Sequence, residues 1–204
     1  MLGITACIRV KYPQFLEKDL TFEDLRRMAR REKIKVQCIT LGGLGSAYMI
    51  EGGKQPKAKI LIEKKVGEAG QWYLLGVEMG HHFLHAGAMT TQRQTDLLKR
   101  LPKYLPKNDN NPDYLKIRGA LELLNMEAEI FAAMTFLSDA TIKKFFRECE
   151  DYYYLLQKCY KFTEERLRLR GKVDEKQMKD IKDRLRRRIN CFLVQYLTPA
   201  RSEA

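Results

Sequence analysis

The residues best suited to acid–base and metal chemistry fall in one stretch, Gly76 to His85, which reads GVEMGHHFLH. All three histidines of the protein, His81, His82 and His85, lie in it, and Glu78 precedes them. His81 and His85 are four residues apart, a spacing at which two imidazoles on one helix can hold a single metal ion. Glu78 and His81 occupy the second and last places of an H-E-x-x-H pattern. In that pattern the glutamate takes the proton of a water that zinc has made acidic. Val77 occupies the place of the first histidine, and valine cannot coordinate.

A helix turns about 100° per residue. With Val77 at zero, His81 falls near 40°, His85 near 80° and Glu78 near 100°. Trp72, Leu75, Met79 and Phe83 fall on the opposite side, between about 160° and 240°. The spacing therefore predicts an amphipathic helix anchored by its apolar side. Glu78, His81 and His85 should face one surface, with His82 packed or supporting. The plainer alternative is an ordinary amphipathic helix carrying incidental histidines.

A second carboxylate points the same way. Glu127 has Leu123, Leu124, Ile130 and Phe131 as its helical neighbours. A carboxylate in such surroundings needs a cation or a strong hydrogen-bond partner. A metal held by His81 would serve, and so would an arginine. Glu129 lies among Asn125, Met126, Ala132 and Ala133, which makes solvent its expected partner.

The elements that must position these groups follow from pattern. Thr21-Phe-Glu-Asp starts a helix to about Lys33. Strands are expected at 34–40, 46–50 and 58–63, with glycine-rich turns between them. The active helix starts near 66–68 and runs to about Ala88. A polar, proline-broken excursion covers 89–112. Helices follow at 113–137 and 140–150, then a helical pair within 152–170. Glu175 to Tyr196 is strongly amphipathic, with a face carrying Arg184, Arg186, Arg187 and Arg188. The order implies an α+β fold, a small three-stranded sheet and an active helix followed by a helical C-terminal region. The expected division is 1–138 and 139–204.

The bulk properties restrict the partners. At 204 residues and net charge +12, the chain suits one sizeable domain and an acidic partner. Nucleic acid is one such partner and an acidic protein surface another; a solvated lysine-rich surface accounts for the charge equally well. No apolar run approaches the length of a membrane span, and the start has no secretory pattern. The five cysteines are scattered, without a C-x-x-C pair, which suits a reducing cytoplasm.

The run EAGQWYLLGVEMGHHFLH resembles the active-site helix of the ImmA/IrrE family of zincin-like metallopeptidases. MEAEIFAAMTFLS, Met126 to Ser138, resembles the family's second signature, E-A-N-x-F-A-A-x-L-L-M-P. GLGSAYMIEG and AKILIEKK resemble the small sheet before the active helix. LLQKCYKFTEERLRLR resembles the segment after the protease core, where the family often carries a helix-turn-helix-like pattern. The similarity spans Leu20 to Arg170. It implies a cytosolic, zinc-dependent endopeptidase acting on helix-turn-helix repressors, in mobile-element induction or DNA-damage responses. It assigns His81 and Glu127 as zinc ligands and Glu78 as general base. His85 matches a histidine frequent in the family. The departures are Val77, Ser138 in place of proline, and a tail after Gly171 without counterpart.

Three functions are compatible with this pattern. One is a peptidase with a weakened or shifted site, in which His85 replaces the ligand missing at Val77. Another is a protease-like protein without catalysis that binds a partner. The last is a DNA-associated regulator working through Arg184, Arg186, Arg187 and Arg188, whose helix could equally be a solvated face.

Overall fold

The computed structural model describes residues 11–13, 17–42, 45–51, 57–85, 112–168 and 175–197. Its first helix, α1 (Phe22–Arg31), begins at a reciprocal cap. The Asp24 amide donates to the Thr21 hydroxyl at 3.1 Å, and the Thr21 amide donates to the Asp24 carboxylate at 3.0 Å. Leu25, Met28 and Ala29 are its buried stripe. The helix stops at Arg31, sooner than the expected Lys33. Lys33 takes a left-handed φ of 58°, and the Ile34 amide closes back on the Ala29 carbonyl at 2.8 Å.

Three strands follow: β1 (Lys35–Ile39), β2 (Ser46–Glu51) and β3 (Lys57–Glu63). Their order is β1-β3-β2, with β3 parallel to β1 and antiparallel to β2. Side chains alternate faces along a strand, so Tyr48, Ile60 and Ile62 all reach the core. The register sets Ser46 opposite Ile62 and Tyr48 opposite Ile60. β2 therefore turns Ser46 and Tyr48 toward the same layer.

That layer is α2 (Glu68–Leu84), which carries the histidines. It packs on α3 (Pro112–Phe136), the most extensive helix pairing in the fold. Two glycines allow the close approach. A Cβ on Gly76 would lie 3.0 Å from the Ala132 Cβ, and one on Gly80 would lie 2.8 Å from the Ala128 Cα. Small residues on both helices let the backbones meet, and Trp72, Leu75, Met79 and Phe131 seal the sides. Each such side chain contributes about 1.5–3 kcal/mol by leaving water.

The remaining helices are α4 (Asp139–Glu148), α5 (Tyr152–Arg168) and α6 (Glu175–Leu197). Ser138 caps α4 through the Thr141 amide at 3.2 Å. The helical pair expected within 152–170 is instead the single helix α5. The paired arrangement falls one element earlier, where α4 and α5 are joined through Cys149–Asp151. The architecture is thus α+β and mostly helical, with six helices and one mixed sheet among the described residues. Of the expected excursion at 89–112, residues 89–111 lie outside the described residues, as does the expected end of the active helix at 86–88; Pro112 is instead the first residue of α3.

The expected boundary at 138 is crossed by strong contacts. Arg166 of α5 donates to the Phe136 carbonyl at the end of α3 and to the Leu20 carbonyl at 3.2 Å. It also lies 3.7 Å from the Asp19 carboxylate and 5.1 Å over the Trp72 ring. No described helix is long and apolar enough to cross a membrane.

Candidate metal centre

Glu78 and His81 are each 2 % exposed, and His85 is 9 % exposed. The face that the helical wheel turned toward a surface is therefore buried against β2 and α3. Burial of a carboxylate is costly without a partner. The Ser46 hydroxyl donates to Glu78 Oε1 at 2.6 Å, and this fixes the carboxylate from the sheet side.

His81 and His85 meet one turn apart, with Nδ1 to Nδ1 at 3.0 Å and ring centres at 5.1 Å. On its far edge, His85 Nε2 lies 3.4 Å from Glu127 Oε2. The sequence reading brought Glu127 to His81 through a metal; here His85 stands between them. The three form a chain, Glu127–His85–His81. A carboxylate facing Nε2 places the proton there and leaves the lone pair of His85 on Nδ1. With both rings neutral, His81 then donates its Nδ1–H to His85, and its own lone pair is on Nε2.

Neutral rings are what burial dictates. Loss of water around His81, then the nearby His85, pull its pKa down to about 4. Burial also lowers His85, against the opposing pull of Glu127. Both imidazoles therefore offer lone pairs at neutral pH without having to shed a proton.

His82 belongs to a separate network, in keeping with its expected packing role. The Tyr48 hydroxyl meets its Nδ1 at 2.8 Å, and its Nε2 lies 3.5 Å from Glu32 Oε2. Burial lowers the His82 pKa despite Glu32. Burial would raise Glu32, but hydrogen bonds from Lys11, Tyr12 and His82 outweigh it and hold that carboxyl below its usual range. This network fixes the rotation of α2 from the side opposite α3.

The donor types suit zinc: two imidazoles and a carboxylate are a common set. The imidazole pair also suits it in distance. Two nitrogens at about 2.0–2.1 Å from a tetrahedral ion lie about 3.3 Å apart, close to the spacing of the two Nδ1 atoms. Glu127 sits at the other edge of the His85 ring. No group of three or more His, Cys, Asp or Glu side chains converges on one point among the described residues. Val77 is half-buried on the same helix and adds no donor.

The basic helix divides into buried and exposed parts. Arg188 is 2 % exposed and paired with Asp139, so it is a structural ion pair and not part of the basic surface. Arg184 is paired with Glu129, which corrects the expectation that Glu129 faces solvent. The same guanidinium touches Tyr73, whose hydroxyl is pushed up first by burial and then by Glu129. Both pairs bind α6 to the helices beneath it. Arg186 and Arg187 remain exposed. Their helix periodicity was legible; which of its arginines turn inward depends on partners distant in sequence.

Sequence reasoning passed over Ser46 and Tyr48. Their i, i+2 spacing in a strand next to the active helix was the available signal. It also passed over Gly76 and Gly80, whose i, i+4 spacing marks a smooth helix face. Comparison with protein-family models, curated proteins and solved structures found no match for this chain.

Proposed function

We propose that this protein is a zincin-like endopeptidase of ImmA/IrrE type with an altered zinc site, acting in the cytoplasm on a helix-turn-helix repressor. The observation that carries the reading is the chain from half-buried Glu127 to buried His85 and His81, on the same side of α2 as Glu78. His85 reaches His81 and so supplies an imidazole where Val77 cannot. His81 and His85 would hold the ion, with Glu127 supporting them. The ion, when bound, supplies a Lewis acid that makes water nucleophilic near neutral pH. Glu78, held by Ser46, takes the water's proton and returns it to the leaving amine. Burial on α2 keeps competing water away from these groups.

A second reading is a protease-like protein that binds its partner without cutting it. Val77 favours it, as does the placement of Glu127 beyond His85, because a catalytic zinc normally takes three protein ligands. One experiment separates the two. Metal-replete protein is incubated with a helix-turn-helix repressor domain, and zinc content and cleavage are both measured. The peptidase reading expects bound zinc and cleavage that drops about 10²–10⁴-fold in Glu78→Gln with zinc retained. Absence of zinc from the replete protein rejects it. Cleavage that appears only in Val77→His supports the binding protein. Direct DNA contact through Arg186 and Arg187 would instead make affinity fall steeply with salt.

A further inference from the structure

We propose that the open edge of β1 is a docking site for an extended acidic segment of a partner protein, which joins the sheet as an added strand. β1 is the edge opposite β2, and it is β2 whose Ser46 reaches Glu78. The surface is therefore separate from the histidine site and does not depend on the metal reading.

The main chain decides which groups the edge offers. Within a strand the N–H and C=O of one residue point to the same side, and those of the next residue point to the other. The Ile39 carbonyl accepts the Lys64 amide at 2.8 Å, at the end of the β1–β3 ladder. Lys35, Gln37 and Ile39 therefore bond toward β3, and Val36 and Cys38 turn their amides and carbonyls outward. No described group meets these outward amides and carbonyls, and no described strand lies beyond β1. Lys35, Cys38 and Ile39 are exposed, so the edge is open to a second chain. Such an edge is a template for strand addition.

Charge selects the occupant. Arg31 and Lys33 precede β1, Lys35 opens it, and Lys64 and Lys65 follow β3 at the Ile39 end. All five are exposed, and none is held in an ion pair by a described residue. The carboxylates nearest in sequence are engaged. Glu32 is paired with Lys11, and Glu63 accepts the Leu41 and Lys65 amides at 2.8 and 3.0 Å. A second copy of this basic chain would set like charges against each other, which is unfavourable; an acidic strand is matched at both ends.

The register sharpens the pattern. Val36 and Cys38 pair with Ile60 and Ile62 and share their face, so Lys35, Gln37 and Ile39 line the other. An antiparallel partner strand would place an acidic residue opposite Lys35. It would place an apolar residue four positions earlier, opposite Ile39.

The test uses the full, chelator-treated chain and a dye-labelled, end-capped peptide, read by fluorescence anisotropy. The peptide has glutamates at both ends and alternating threonine and valine between them. Saturable binding that weakens with salt is expected, as is its loss when lysines replace the glutamates. N-methylation of one alternate set of peptide amides should abolish binding, and of the other set should not, because only one set faces β1. This readout leaves the protein unaltered. Cys38→Pro removes one outward amide without touching the β3 ladder, as an edge position allows. It should weaken the peptide roughly 10-fold, with a cooperative urea transition retained. Absence of peptide binding overturns the proposal, and so do equal effects of the two methylated sets. A DNA duplex that displaces the peptide and binds more tightly assigns the cations to nucleic acid and overturns it as well.

Discussion

Gly80→Ala tests whether the close approach of α2 to α3 builds the site. A new Cβ would lie 2.8 Å from both Cα and the carbonyl oxygen of Ala128, and 3.1 Å from the Phe131 Cβ. Carbon atoms in contact prefer about 3.5–4.0 Å. The obstacle is backbone, so the helices must separate by about 0.7 Å or more. Overpacking of this kind costs about 1–3 kcal/mol. Alanine recovers up to about 1 kcal/mol through its better helix propensity. With that recovery the net expectation is a loss of about 0–2 kcal/mol. Gly119→Ala supplies the control, because nothing lies within 4 Å of a Cβ there. It should gain about 0.5–1 kcal/mol from propensity alone. Urea unfolding of the two chelator-treated variants measures the difference, read as shifted midpoints at unchanged slope. The same separation pulls Glu127 away from His85, already at 3.4 Å, so zinc affinity should fall in Gly80→Ala and not in Gly119→Ala. A Gly80→Ala midpoint raised as far as that of Gly119→Ala would refute the packing argument.

Three further outcomes are expected. Stability of the metal-free protein should fall as pH drops from about 6.5 to 4, because the unfolded chain protonates His81 while burial keeps it neutral in the fold. The contribution is fully present above that window and amounts to about 3 kcal/mol, read by urea titration against His81→Asn, in which this part of the slope should vanish. Arg188→Ala should cost about 3–5 kcal/mol by stranding Asp139, while Arg186→Ala on the exposed face should stay within about 0.5 kcal/mol; thermal or urea unfolding compares them. Lys33→Gly should raise stability by about 0.5–1 kcal/mol by relieving the left-handed φ of 58° after α1, and an unchanged midpoint would count against that strain.

Local signals carried most of the element pattern. Thr21 and Asp24 form the reciprocal cap that their spacing suggested, and Ser138 caps the helix that follows it. The three strands lie within a residue of their expected places, because alternation has one period and short strands have few alternatives. The wheel separated the apolar and polar sides of α2 correctly but not their exposure. Nothing in a helix's own periodicity says whether a second helix covers its polar side. Glu127 was recognisable as a carboxylate needing a partner; that the partner is His85 depends on how α3 lies across α2. Glu129 shows the opposite failure. Its local neighbours suggested water, and Arg184, 55 positions later in the sequence, supplies the charge. The single helix α5 escaped the reading because no proline or glycine marks whether 152–168 is broken.

Arg166 has a consequence for how the molecule opens. One guanidinium joins the carbonyl ending α3, the carbonyl before α1 and the ring of Trp72 on α2. Local fluctuations that free α5 must therefore release the ends of three other helices at once. Amide hydrogens in the middle of α2, α3 and α5 should then exchange with deuterium at a shared slow rate, as one cooperative unit. Cleaving the chain at 138 would leave the histidine helix without that lock, so the C-terminal helices act as part of the scaffold that holds the His81–His85 pair closed.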